Sequence, residues 1–130
     1  MIIFRDKNNP KGNLGKDKPN STNASPEVLP LISGDYVKNA KNTGDDTPSE
    51  GDSWIDYWEK HTGEKLPSVC PLCGEPFKKN DQVDGCHVQV KGTDGRYRSK
   101  KYIIPGHHEC NCQRSEEFPL STDVDVVEAK

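Results

Sequence analysis

The placement of the cysteines constrains this chain more than any other feature. All five fall between positions 70 and 112: Cys70 and Cys73 in CPLCG, then Cys86, then Cys110 and Cys112 in PGHHECNCQ, which also carries His107 and His108. Two cysteines three apart can reach one metal ion while a tight turn aims backbone N–H groups at the sulfurs, and Gly74 suits the backbone angles of such a turn. A tetrahedral site begun by this pair needs two further ligands. His107 and Cys110 repeat the three-residue offset of Cys70 and Cys73 and form the first choice. His108 with Cys112, four apart on one helix face, is the alternative, whereas Cys110 and Cys112 would point apart on a helix. The expected centre is a structural Zn²⁺ on Cys70, Cys73, His107 and Cys110, with Cys86 a small buried residue. A redox C-x-x-C would want a thioredoxin-like strand-to-helix setting, which the surrounding sequence does not offer.

Composition shows why a metal is needed. Only 30% of the 130 residues are hydrophobic and 30% are charged, too little apolar surface to offset the entropy of ordering every residue. Small domains short of core rely on metals or disulfides. The odd cysteine count disfavours a complete disulfide framework. MIIF is too short for a signal-peptide apolar region and no apolar run approaches membrane-spanning length, so a cytoplasmic chain with reduced thiols and no membrane partner is expected.

Residues 1–50 read as a disordered or weakly structured arm, rich in Asn, Lys, Gly, Pro, Ser, Thr and Asp and without a sustained period. Within it VLPLI is broken by Pro30, and DYVKNAKN could form a turn or two of helix. The folded domain is expected over 51–130. Asp52 or Ser53 can cap a helix whose Trp54, Tyr57 and Trp58 share one face for core packing, with Gly63 as its stop. Alternation in CHVQVK, a turn at GTDG and a return through Tyr102–Ile104 read as a β-hairpin. NCQRSEEF reads as a short helix, and Val124, Val126 and Val127 as an edge strand or a loosely packed end.

Charge is uneven. Residues 86–114 hold six basic side chains against two acidic ones, while 115–130 hold one against five. Lys91, Arg96, Arg98, Lys100, Lys101 and Arg114 are therefore either a solvated hairpin face or a grip on a nucleic-acid backbone.

Two knuckles around a hairpin, the second opening a helix, resemble a treble-clef zinc finger, a small α+β fold. GCHV at 85–88 followed by YIIPGHHECN at 102–111 resembles the HNH (His-Me finger) nuclease pattern over roughly residues 66–118. That resemblance implies His87 as the general base activating a water, Asn111 beside a catalytic Mg²⁺, and Arg114 meeting phosphate. Cys86, whose thiol is a poor ligand for Mg²⁺, stands where active members often carry Asp. The resemblance thus implies an HNH-like nucleic-acid-binding module with endonuclease chemistry. A catalytically silent zinc module binding a protein partner, through the arm, the acidic tail or the aromatic helix, is the alternative.

Overall fold

The structure, a computed structural model, describes residues 25–40, 47–49, 53–111 and 117–130. Six strands and two helices follow in chain order: β1 (Val28–Leu31), β2 (Tyr36–Asn39), α1 (Trp54–Thr62), β3 (Val83–Val90), β4 (Tyr102–His107), α2 (His108–Asn111), β5 (Glu117–Pro119) and β6 (Val124–Glu128). All strands join one antiparallel sheet in the order β1-β6-β4-β3-β2-β5. The domain is small and α+β, as composition and motif order predict, but its sheet is larger than a treble clef requires.

The pairings force this sheet to curl. Successive antiparallel neighbours leave β1 and β2 pointing the same way, four strand spacings apart. In a flat sheet that distance is about 19 Å, and the chain would also have to travel back one strand length. The five Cα steps from Leu31 to Tyr36 reach at most about 18 Å. The same conflict holds between β5 and β6, and curling resolves both. Leu31 opposes Val124 and Tyr36 opposes Pro119, so residues 32–35 face 120–123 with the register unchanged. Bonds from Gly34 N–H to the Leu120 carbonyl (2.8 Å) and from Leu120 N–H to the Asp35 carbonyl (2.8 Å) carry the pairing across the bend. Ser33 N–H adds a bond to Asp123 Oδ1 at 2.9 Å. The sheet is thus two long bent strands wrapped onto the β3–β4 hairpin.

Alternation then sorts the core into two sides. Val37, Cys86, Val88, Val90, Ile104 and Val126 fill the inside of the curl. On the other side, Ile103 and Val127 meet α1, whose Tyr57 and Trp58 are fully buried. Ser53 caps α1 by accepting from the Asp56 N–H, and Gly63 ends it in the left-handed conformation with φ 71°. Both termini and the aromatic face match the sequence expectation. The helix start lies so close to β3 that a Cβ at Gly85 would stand 2.6 Å from the Trp54 carbonyl carbon. Trp58 Nε1 and the Tyr57 hydroxyl donate to the carbonyls of Asp125 and Glu128, satisfying buried polar tips that would otherwise cost stability.

Three expectations about the chain ends need correction. Residues 28–31 and 36–39, placed in the arm, are strands of the central sheet; DYVKNAKN contributes β2 rather than a helical turn. Val124–Glu128 lies between β1 and β4 and is an interior strand, so the acidic tail is built into the fold. Of the short helix expected in NCQRSEEF, residues 112–116 lie outside the described residues. Among the described residues no helix is long and apolar enough to cross a membrane.

Candidate metal centre

The segment 68–77 is a miniature hairpin. Val69 bridges Pro76, Cys70 N–H donates to the Glu75 carbonyl (2.8 Å), and Gly74 N–H donates to the Cys70 carbonyl (2.8 Å). Gly74 has φ 81°, which glycine adopts without strain. This turn plugs one mouth of the curled sheet. Leu72 rests over Gly106, where an added Cβ would come within 2.9 Å of its Cδ1 and 3.1 Å of Cys86 Sγ. Ser121, in the bend between β5 and β6, donates its N–H to the Pro71 carbonyl and its hydroxyl to the Cys70 carbonyl, both at 2.9 Å. On the other flank, Asn39 Nδ2 donates to the Cys110 carbonyl at 3.0 Å and ties α2 to the end of β2.

These anchors bring the thiols of Cys70, Cys73 and Cys110 together, each Sγ within 4.8 Å of the others. Sulfurs sharing one tetrahedral ion at metal–sulfur distances of about 2.3 Å lie roughly 3.8 Å apart, so a small adjustment suffices. The surroundings suit a cation. Burial opposes ionisation of Cys70, but backbone N–H groups of His107, Cys73 and Leu72 directed at its sulfur outweigh it and hold its thiol below the ordinary value; the His107 N–H stands 3.4 Å away. Desolvation pushes Cys110 well up, and the neighbouring sulfurs of Cys70 and Cys73 push the same way. Desolvation likewise raises Cys73, with Cys70 adding to it against the Glu75 N–H. One thiolate is favoured and the next two are resisted, a conflict that a bound divalent ion removes by deprotonating all three. This cluster is capable of coordinating a metal.

The other candidates are distributed as follows. Cys86 is buried outside the cluster, its Sγ facing the Asp84 carbonyl oxygen at 3.8 Å, as expected of a packing residue. His107 Nδ1 lies 3.4 Å from Cys73 Sγ, its Nε2 lies 2.8 Å from Asp81 Oδ2, and Phe77 packs on its ring with centroids 4.8 Å apart. His108 turns to Asp84, Nδ1 to Oδ2 at 2.7 Å. Cys112 and Arg114 lie outside the described residues. Sequence reasoning missed Asp81, Phe77, Ser121 and Asn39. For Asp81 a signal existed, an aspartate closing the short polar KKND stretch before β3.

The HNH resemblance does not hold. The metal cluster is built from three cysteines, and the two catalytic candidates do not meet. His87 is buried on the helix side of β3, its ring edge-on to Trp54 at 4.6 Å between centroids. Asn111 donates to Asp84 Oδ2 at 2.9 Å. Asp84 and His87 are three apart in one strand and face opposite sides of the sheet. Gly85, the motif glycine, makes room for α1. No Mg²⁺ site is formed by these residues. Nor is a nucleic-acid-binding basic cluster shown among the described residues. Lys100 Nζ pairs with Glu27 (3.4 Å) and Glu128 (3.8 Å), and Lys91 Nζ lies over the Tyr36 and Tyr97 rings at 5.2 and 5.9 Å. Arg96 and Arg98 line a hollow at the hairpin tip together with Asp94. Lys101 lies next to Lys100 in the return to β4, its carbonyl accepting from the Ala129 N–H. The nuclease and nucleic-acid expectations are therefore withdrawn for this domain.

The chain matches no protein-family model, no curated protein and no solved structure.

Proposed function

We propose that this domain is a zinc-stapled module without a catalytic centre, working as a protein-interaction unit. The convergence of three cysteines at the mouth of the curled sheet carries this reading. Thiol-rich sites of this size favour zinc, which has no geometric demand beyond four-coordination. The order of the metal-bearing pieces, a knuckle, the β3–β4 hairpin and then α2, is that of a treble clef enlarged by the two bent strands. With so little apolar surface, metal binding supplies much of the folding free energy.

The interaction surface is apolar and lies on the first bent strand. Val28, Ile32 and Tyr36 are 39%, 62% and 41% exposed, at four-residue intervals. The aromatic face of α1 packs on the sheet and β6 pairs on both edges, so the exposed apolar side chains of the first bent strand are the better surface. A direct test compares wild type with an Ile32→Asp, Tyr36→Asp double variant by proximity labelling. The variant should retain its zinc and fold but lose the wild type's labelled partners. Identical partner sets would contradict this assignment, and a wild-type chain that takes up no zinc would contradict the staple.

A further inference from the structure

Three thiols leave a tetrahedral ion one ligand short. We infer that His107 Nδ1 is the fourth ligand, and that Asp81 is the positioning residue that turns the ring toward the metal. The inference rests on the three-cysteine site proposed above and completes it.

The distances fit. Zinc–nitrogen near 2.0 Å and zinc–sulfur near 2.3 Å at a tetrahedral angle put the two ligand atoms about 3.5 Å apart. His107 Nδ1 is 3.4 Å from Cys73 Sγ. The tautomer fits as well. Nε2 lies 2.8 Å from Asp81 Oδ2, and an ionised carboxylate can only accept, so the ring proton sits on Nε2. In the neutral ring, the form a bound cation selects, that leaves the Nδ1 lone pair facing the thiols. A carboxylate behind a ligating histidine is the usual way a protein fixes ring orientation and raises ligand basicity.

Asp81 is itself held. Its Oδ2 accepts from Lys78 N–H at 2.8 Å, and its own N–H donates to the Lys78 carbonyl at 3.0 Å. A closed turn over 78–81 therefore fixes the carboxylate, the carboxylate fixes the imidazole, and Phe77 packs on its ring. The backbone of the same histidine meets Cys70 Sγ, so His107 would serve the site through both ring and main chain. His108, the other histidine of PGHHECNCQ, is turned to Asp84.

An S–H···N hydrogen bond would have a similar length, so the test must read the metal's own shell. The full-length chain is loaded with Zn²⁺ and examined by X-ray absorption. Competition with a chromophoric chelator gives the affinity. Wild type should show three sulfurs and one nitrogen. His107→Ala should lose the nitrogen and bind more weakly by at least 100-fold. Asp81→Asn, which keeps the fold and the ligand, should keep the three-sulfur, one-nitrogen shell while binding 10- to 100-fold more weakly. Cys112→Ser should change neither quantity. A wild-type shell of four sulfurs that becomes three in Cys112→Ser overturns the inference and leaves the three-cysteine site standing. So does a shell that is the same with and without His107. A wild-type chain that binds no zinc overturns both. If His107→Ala fails to fold, the wild-type shell and Asp81→Asn decide: no nitrogen in the former, or unchanged affinity in the latter, counts against the inference.

Discussion

The helix side and the knuckle side of the sheet are held by different physics. On the helix side, Tyr57, Trp58, Ile103 and Val127 are all fully buried, and each large side chain removed from water contributes about 1.5–3 kcal/mol. On the knuckle side, Leu72 is the large aliphatic inserted, and α2 contributes four residues of which Cys110 is buried. Ser121, through its N–H and hydroxyl, locates the turn and the Asn39 side chain locates α2, but the apolar area the knuckle adds is small. The inside of the curl has its own apolar filling, but the knuckle that closes its mouth adds little to it and relies on ligand chemistry.

The contrast can be broken in a graded way. Replacing Cys70 and Cys73 together by Ser should have the largest effect, because structural zinc supports roughly 10 kcal/mol or more in small metal-folded units. Zinc content and the urea midpoint should both collapse, and a wild-type midpoint would show that the knuckle is not metal-held. Trp58→Ala should come next, costing about 3–5 kcal/mol in urea unfolding at saturating zinc, with one ion per chain still bound. Loss of metal in that variant would mean that the two sides are not separable. Gly85→Ala should cost about 1–3 kcal/mol, since its Cβ would meet the backbone of Trp54 and Ile55. No effect would show that α1 can retreat freely.

The smallest effects concern the clasp on β1. Tyr102 donates to Glu27 Oε1 at 2.5 Å, and Lys100 pairs with the same oxygen. Burial pushes the Glu27 carboxyl up, but the Tyr102 hydroxyl and the Lys100 charge outweigh it and hold the group below its ordinary value. A depressed carboxylate stabilises the fold above its unfolded value of about 4.3 and loses that contribution as pH falls through the folded value. Tyr102→Phe should therefore cost about 1–2 kcal/mol at neutral pH. It should also flatten the decline of thermal stability on the acid side of pH 4.3. An unchanged acid limb would remove Glu27 from the account.

The sequence was most legible where local chemistry decides. Ser53, Gly63 and the Trp54–Tyr57–Trp58 stripe define α1 by rules that act within a few residues, and the turn at 92–95 with its flanking alternation gives β3 and β4. The C-x-x-C and the offset of Cys110 locate the thiols because ligand spacing is also local. β1 and β2 were hidden because each is four residues long, Pro30 sits in the first, and the first pairs with β6 from the opposite end of the chain. Nothing near Val28 announces Val127. The HNH resemblance failed for a related reason. A glycine two residues before a histidine on a strand places both on one face, and here that face receives a helix: Gly85 admits its backbone and His87 packs on Trp54. The same two residues serve packing where the motif would use them for chemistry.

Native mass spectrometry of the full chain refolded with zinc tests the central claim most directly. Wild type should carry one zinc ion, and the Cys70→Ser, Cys73→Ser variant none under the same conditions. A wild-type chain without zinc, or a variant that keeps it, would contradict a domain closed by its cysteine cluster.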